Sequence, residues 1–75
     1  MQEKLLIIIN TVLQNRGKAQ VKRIKTKSNL RNDIGFDSLD LAEFTVRVEA
    51  EFDIDIFENG IVNTVGEVMS KLASE

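Results

Sequence analysis

Three stretches of this chain repeat apolar residues at spacings of three and four, a period that suits an α-helix and not a strand. They are Leu5, Ile8, Ile9, Val12 and Leu13 within residues 2–15; Leu41, Phe44, Val48 and Phe52 within residues 38–52; and Val65, Val68, Met69 and Leu72, ending near Ala73. Three amphipathic helices in 75 residues predict an all-α fold, a small bundle whose helices each turn one face to a shared core. With this length and no internal repeat, residues 1–75 are expected to form a single domain.

The segments between the helices are less regular. Gln14, Asn15 and Gly17 supply a stop for the first helix. Residues 18–32 have no sustained period and only isolated apolar anchors at Val21, Ile24 and Leu30, which predicts a long loop tacked to the core at intervals. After the second helix, Asp53 to Phe57 alternate, and Ile54 and Ile56 are expected to close the end of the bundle. Residues 58–62 are expected to form a short extra helix. Thr64 followed by Glu67 is a capping box for the last helix. Gly66, inside its first turn, weakens that helix by roughly 1 kcal/mol relative to alanine and predicts a mobile N-terminus.

Composition removes most catalytic schemes. With no histidine and no cysteine, the commonest general base, the thiolate nucleophile and the usual transition-metal ligands are absent. Asp33, Asp37 and Asp40, or Asp53, Asp55 and Glu58, do not reproduce the alternate oxygen ligands, central glycine and distal glutamate of a calcium loop, so no metal site is expected. The apolar run Leu5 to Ile9 is far shorter than the roughly 18 residues of a membrane span and lacks a cleavage signal, so a cytoplasmic protein without a membrane span is expected.

The net charge of −2 conceals two opposite halves. Arg16, Lys18, Lys22, Arg23, Lys25, Lys27 and Arg31 follow one another with no acid among them, whereas from Asp33 to Glu58 nine acids face only Arg47. The basic run reads first as a solvated loop that partly neutralises the acidic half. Nucleic-acid binding is the weaker reading, because no aromatic residue is interleaved with the cations and the acidic remainder repels phosphate. The acids of the second helix suit rapid, salt-sensitive association with basic partner surfaces.

The stretch Asp33-Ile34-Gly35-Phe36-Asp37-Ser38-Leu39-Asp40 reads as a loop entering the second helix, with Asp37 or Ser38 as N-cap and an acid in the first turn. A serine here is ordinarily a cap and nothing more. Catalysis by Ser38 lacks a histidine base and the strand-turn-helix setting of a hydrolase nucleophile, so no catalytic residue is expected. A phosphate on that hydroxyl, however, would meet the unpaired N–H groups and positive dipole of the helix start. The row Leu39, Ala42 and Val46 reads from its spacing as core edge, with a docking surface as the alternative.

The run Gly35-Phe36-Asp37-Ser38-Leu39-Asp40, then Glu43 and Glu49-Ala50-Glu51-Phe52, resembles the acyl carrier protein family. Leu30 and Asp33 before it, the Phe52, Ile54, Ile56 series after it, and Thr64-Val65-Gly66-Glu67 extend the likeness over nearly the whole chain. The resemblance implies a monomeric, non-enzymatic carrier whose Ser38 bears 4′-phosphopantetheine, attached from coenzyme A by a phosphopantetheinyl transferase. The arm would shuttle acyl groups as thioesters between acyl-loading, condensing or acyltransferase enzymes with basic docking patches, in fatty-acid, polyketide or related lipid biosynthesis. It implies Asp37, Leu39, Asp40, Glu43 and Val46 as partner contacts, moving the Leu39 row towards docking, and Phe44, Val48, Ile54 and Val68 as lining for the acyl chain. The basic first loop, Arg47 within the acidic line and a short connection without proline depart from the family pattern and point to a specialised, stand-alone carrier. An aminoacyl or peptidyl carrier, or an unmodified helical adaptor docking through its acidic second helix, are the alternatives.

Overall fold

The computed structural model describes residues 2–58 and 60–73. Helices α1 (Gln2–Asn15), α2 (Ser38–Phe52) and α3 (Val65–Ala73) have the bounds that the apolar periodicity predicts. Lys4 pairs with Glu51, and Arg16 with Asp37, so α1 and α2 lie antiparallel: the start of each meets the end of the other. The core collects Leu5, Ile9, Val12 and Leu13 from α1, Leu41, Phe44 and Val48 from α2, and Val65, Val68 and Leu72 from α3. No helix among the described residues is long and apolar enough to cross a membrane.

The long first loop is a fastened structure. Ile24, Leu30, Ile34 and Phe36 are buried, and Val21 packs against the core half-exposed. Asn10 on α1 grips Val21 at both backbone groups, its Nδ2 donating to the carbonyl at 2.9 Å and its Oδ1 accepting from the N–H at 2.8 Å. Gln2 Nε2 donates to the Ile24 carbonyl at 2.7 Å. These bonds satisfy backbone groups that a loop against a core would otherwise leave unpaired.

Two expectations change here. The N-terminus of α3, expected to be mobile at Gly66, is tied to the loop: Gly66 N–H donates to the Thr26 carbonyl at 2.9 Å, Val65 N–H to Ser28 at 3.0 Å, and Leu30 N–H to Asn63 at 2.8 Å. Glu67 completes the predicted capping box with Thr64 and accepts from the Asn63 and Thr64 N–H groups. Glycine stands at position 66 because a Cβ there would lie 2.8 Å from the Thr26 carbonyl oxygen. Gly66→Ala is therefore expected to destabilise by about 1–3 kcal/mol through overpacking, although helix propensity alone would add about 1 kcal/mol of stability. Urea unfolding reads the sign, and a stabilised variant would show that the loop does not bear on α3.

The short helix expected over residues 58–62 is replaced by a turn. Glu58 N–H donates to the Asp55 carbonyl at 3.2 Å and Gly60 N–H to Phe57 at 3.3 Å, while residues 61–62 carry no helix. Asn59, also within that expectation, lies outside the described residues. Ile56 at the start of this turn and Val62 after it are both buried, so the connection is anchored to the core on either side.

Candidate functional site

The site forms where α1 ends and α2 begins. Asp37 is the N-cap of α2: its side chain accepts from Asp40 N–H at 2.9 Å, and Asp40 Oδ2 accepts from Asp37 N–H at 3.0 Å. Of the two candidate caps the aspartate takes the role. Ser38, the first helical residue, is exposed and its hydroxyl is free of capping duty. A hydroxyl at a helix entrance that is not needed by the backbone is open to substitution, and the adjoining donors favour a phosphate there.

Asp40 departs from its expected role. Placed among the partner contacts by the family resemblance, it is wholly buried. Arg16 Nε lies 2.9 Å from its Oδ1, and Lys18 Nζ binds its Oδ2. Neither cation belonged to the site as read from sequence; both were assigned to the basic run. They arrive because α1 ends in a left-handed Gly17, with Lys18 N–H returning to the Leu13 carbonyl at 2.8 Å, which turns the chain back towards α2. Two cations thus stand at the negative end of α1 and two carboxylates at the positive end of α2, each sign suited to its helix terminus.

Lys18 also fastens the turn in front of the serine, donating to the Gly35 carbonyl at 3.0 Å. Gly35 has φ +94°, a conformation that side chains disfavour, and it lets the chain rise from the loop into Phe36 and Asp37. Phe36 is buried with its ring centroid 5.4 Å from that of Phe44, so the residue two before Ser38 is anchored in the core. Ser38 is presented from a braced frame.

The electrostatics follow from these contacts. The Asp40 N–H bond, then Lys18 and Arg16, hold the Asp37 carboxyl below its usual value. Hydrogen bonding to Asp40 pushes the Lys18 ammonium up. Arg47 Nε at 2.8 Å, then Asn15 at 3.1 Å, lower Glu43, and the Asn63 and Thr64 N–H groups lower Glu67. Depressed carboxyls contribute stability that is present above their unfolded values and lost as pH falls through the folded ones; the raised lysine contributes below its unfolded value and is lost only as pH rises through the folded one. No histidine or cysteine is present to titrate near neutrality. The thermal midpoint is therefore expected to stay level between about pH 5 and 8 and to drop below about pH 4. A drop already between neutrality and pH 5 would contradict this assignment.

The remaining expected residues separate into two groups. Asp37, Leu39 and Val46 are exposed, the last two with 65% and 67% of their surface accessible, which excludes the core-edge reading of that row. Glu43 is half-buried beside them. Phe44, Val48 and Val68 are buried together in the core, with Ile54 half-buried against it. Two surface grooves open elsewhere, one between Ile7 and Ala50, the other between Leu6 and Ile24. Among the described residues no acidic cluster is arranged to hold a metal ion.

An exposed serine freed from capping, at the entrance of a helix whose loop is braced on both sides, fits covalent attachment of a phosphate-linked arm. Comparison with known proteins agrees. Residues 3–69 match the family model described as the phosphopantetheine attachment site. The chain is 31% identical over 70 residues to an acyl carrier protein of Prochlorococcus marinus (strain MIT 9515), covering 91% of this chain and 88% of that protein. No solved structure matches. Both likenesses span the helices that build the site. The cofactor is accordingly a covalently bound phosphopantetheine, the protein is a carrier and not an enzyme, and the chain belongs to the acyl carrier protein family.

Proposed function

We propose that Ser38 is the residue that carries 4′-phosphopantetheine, and that the modified chain shuttles acyl groups between enzymes of fatty-acid, polyketide or related lipid biosynthesis. The observation that carries this reading is the division of labour at the α2 entrance: Asp37 takes the cap and leaves the Ser38 hydroxyl exposed. When bound, the arm supplies the thiol that the cysteine-free chain lacks, and an acyl group rides on it as a thioester.

The chain's own residues orient and present. Asp37 and Asp40 set the helix start, Lys18 holds Gly35, and Phe36 fixes the turn, so the hydroxyl meets a phosphopantetheinyl transferase in one position. Leu39 and Val46, flanked by Asp37 and Glu43, offer an apolar row with an acidic edge to the transferase and to acyl-loading, condensing or acyltransferase enzymes. An acyl chain sheltered by the bundle would lie among Phe44, Val48 and Val68, with Ile54 at the margin. Similarity to an acyl carrier protein of Prochlorococcus marinus favours acyl over aminoacyl cargo.

Ser38→Ala tests the reading against an unmodified adaptor that docks through the same row. Its unfolding free energy is expected to stay within about 0.5 kcal/mol of the parent, because Asp37 keeps the cap. Acyl transfer to the chain by a loading enzyme should be abolished. An acyl-loaded alanine variant would transfer the role to another residue.

A further inference from the structure

Three of the large apolar side chains that the fold leaves exposed share one face. Leu39 and Val46 stand two turns apart on the same side of α2, and Ala50 continues their row one turn further on. There the row meets a groove between α1 and α2, walled by Ile7 and Ile8 from α1 and by Ala50 from α2. Ile7, 66% exposed, is as bare as Leu39 and Val46. An apolar track thus leads from the residue next to Ser38 to a groove towards the far end of α2.

The groove has the character of a site for an aliphatic group. Its volume is about 320 Å³, at the small end of the roughly 300–1,000 Å³ of small-molecule sites. The charges at its rim are already neutralised in pairs, Lys4 by Glu51 at 3.4 Å and Arg47 by Glu43 at 2.8 Å. An uncharged chain displaces water there without separating an ion pair, whereas a chain ending in a carboxylate would have to compete with Glu51 and Glu43 for their cations.

The length of the arm decides what reaches this groove. Ala50 lies twelve residues beyond Ser38 on one helix, about 18 Å at about 1.5 Å per residue. Phosphopantetheine runs about 13 bonds from phosphorus to sulfur, about 16 Å at the roughly 1.2 Å that each bond adds along an extended chain. Laid over Leu39 and Val46, the arm ends at the mouth of the groove, and the cargo begins there. The bundle interior offers no comparable space. Phe44 is 1% exposed and Val48 and Val68 are 0% exposed, so they border no gap wide enough for water, and a chain among them must first part the core.

We propose that the α1–α2 groove at Ile7, Ile8 and Ala50 is the resting site of a short, uncharged acyl chain carried on the arm, with Leu39 and Val46 as the track on which the arm lies. The proposal rests on the reading of Ser38 as the attachment residue and adds where the cargo is kept. It also couples docking to release: an enzyme that covers Leu39 and Val46 lifts the arm from its track and frees the cargo.

The test loads the isotope-labelled chain from hexanoyl coenzyme A, with unacylated and succinyl-loaded chains in parallel, each checked by intact mass. Expected by NMR are nuclear Overhauser contacts from the hexanoyl methylenes to the Ile7, Ile8 and Ala50 methyls, with shifts at these residues that the unacylated arm does not produce. The succinyl group, which ends in a carboxylate, should give neither. Ile7→Asp, at an exposed position, should abolish the hexanoyl contacts and leave the thermal midpoint near that of the parent; Ile7→Gln gives a second variant should the charge disturb α1. Contacts to Phe44, Val48 and Val68 instead, groove shifts equal with and without the acyl group, or equal contacts from succinyl would overturn the proposal. A chain that gains no mass overturns the attachment reading and this proposal together, whereas a loaded chain with a silent groove overturns the proposal alone.

Discussion

Replacing Arg16 and Lys18 together with methionine is expected to bring the chain to the edge of unfolding. Asp40 is wholly buried, and these two cations are its only charged partners among the described residues. Stripping a buried carboxylate of its partners costs about 3–5 kcal/mol, against a total stability of roughly 4–11 kcal/mol for a domain of 75 residues. The opposite deletion is milder. Asp40→Ala removes half of the capping box and returns two partly exposed cations to water, a loss nearer the roughly 1 kcal/mol of a cap. Urea midpoints of the two variants give the comparison, and a double-methionine variant as stable as the parent would show that Asp40 is not held by these cations.

Phe44→Ala is expected to lose about 3–5 kcal/mol. The ring is 1% exposed and lies 5.4 Å, centroid to centroid, from Phe36. Its removal empties the centre of a small core and frees the anchor in front of Ser38, so the turn should loosen along with the fold. Amide exchange at residues 35–38 should rise more than at α3, which touches the loop through Gly66 and Val65 instead. Unchanged exchange at the turn would mean that Phe36 is held by other contacts.

What the sequence made legible was whatever depends on neighbours along the chain. The bounds of α1, α2 and α3 follow the apolar period, and the Thr64 to Glu67 capping box appears as read, because both rest on residues three or four apart. The place of Ser38 at the entrance of α2 likewise follows from its own few neighbours. The misreadings have distant causes. Asp40 reads as part of a polar helix face, and its burial comes from cations 22 and 24 residues earlier. Gly66 reads as a weak helix residue, and its reason is the carbonyl of Thr26, brought alongside by the loop. Ile34 and Phe36 lie outside any periodic segment, so nothing in the local pattern marks them as core. The choice of Asp37 over Ser38 as cap was undetermined by residue type, since both suit the position, and the reciprocal bond from Asp40 decides it.

Intact mass after incubation with coenzyme A, magnesium and a broad-specificity phosphopantetheinyl transferase, with Ser38→Ala in parallel, tests the central claim most directly. A gain of one phosphopantetheine on the parent and none on the variant is the predicted result. An unmodified parent with several transferases, on protein shown to be folded, or equal gain on the variant, would contradict it.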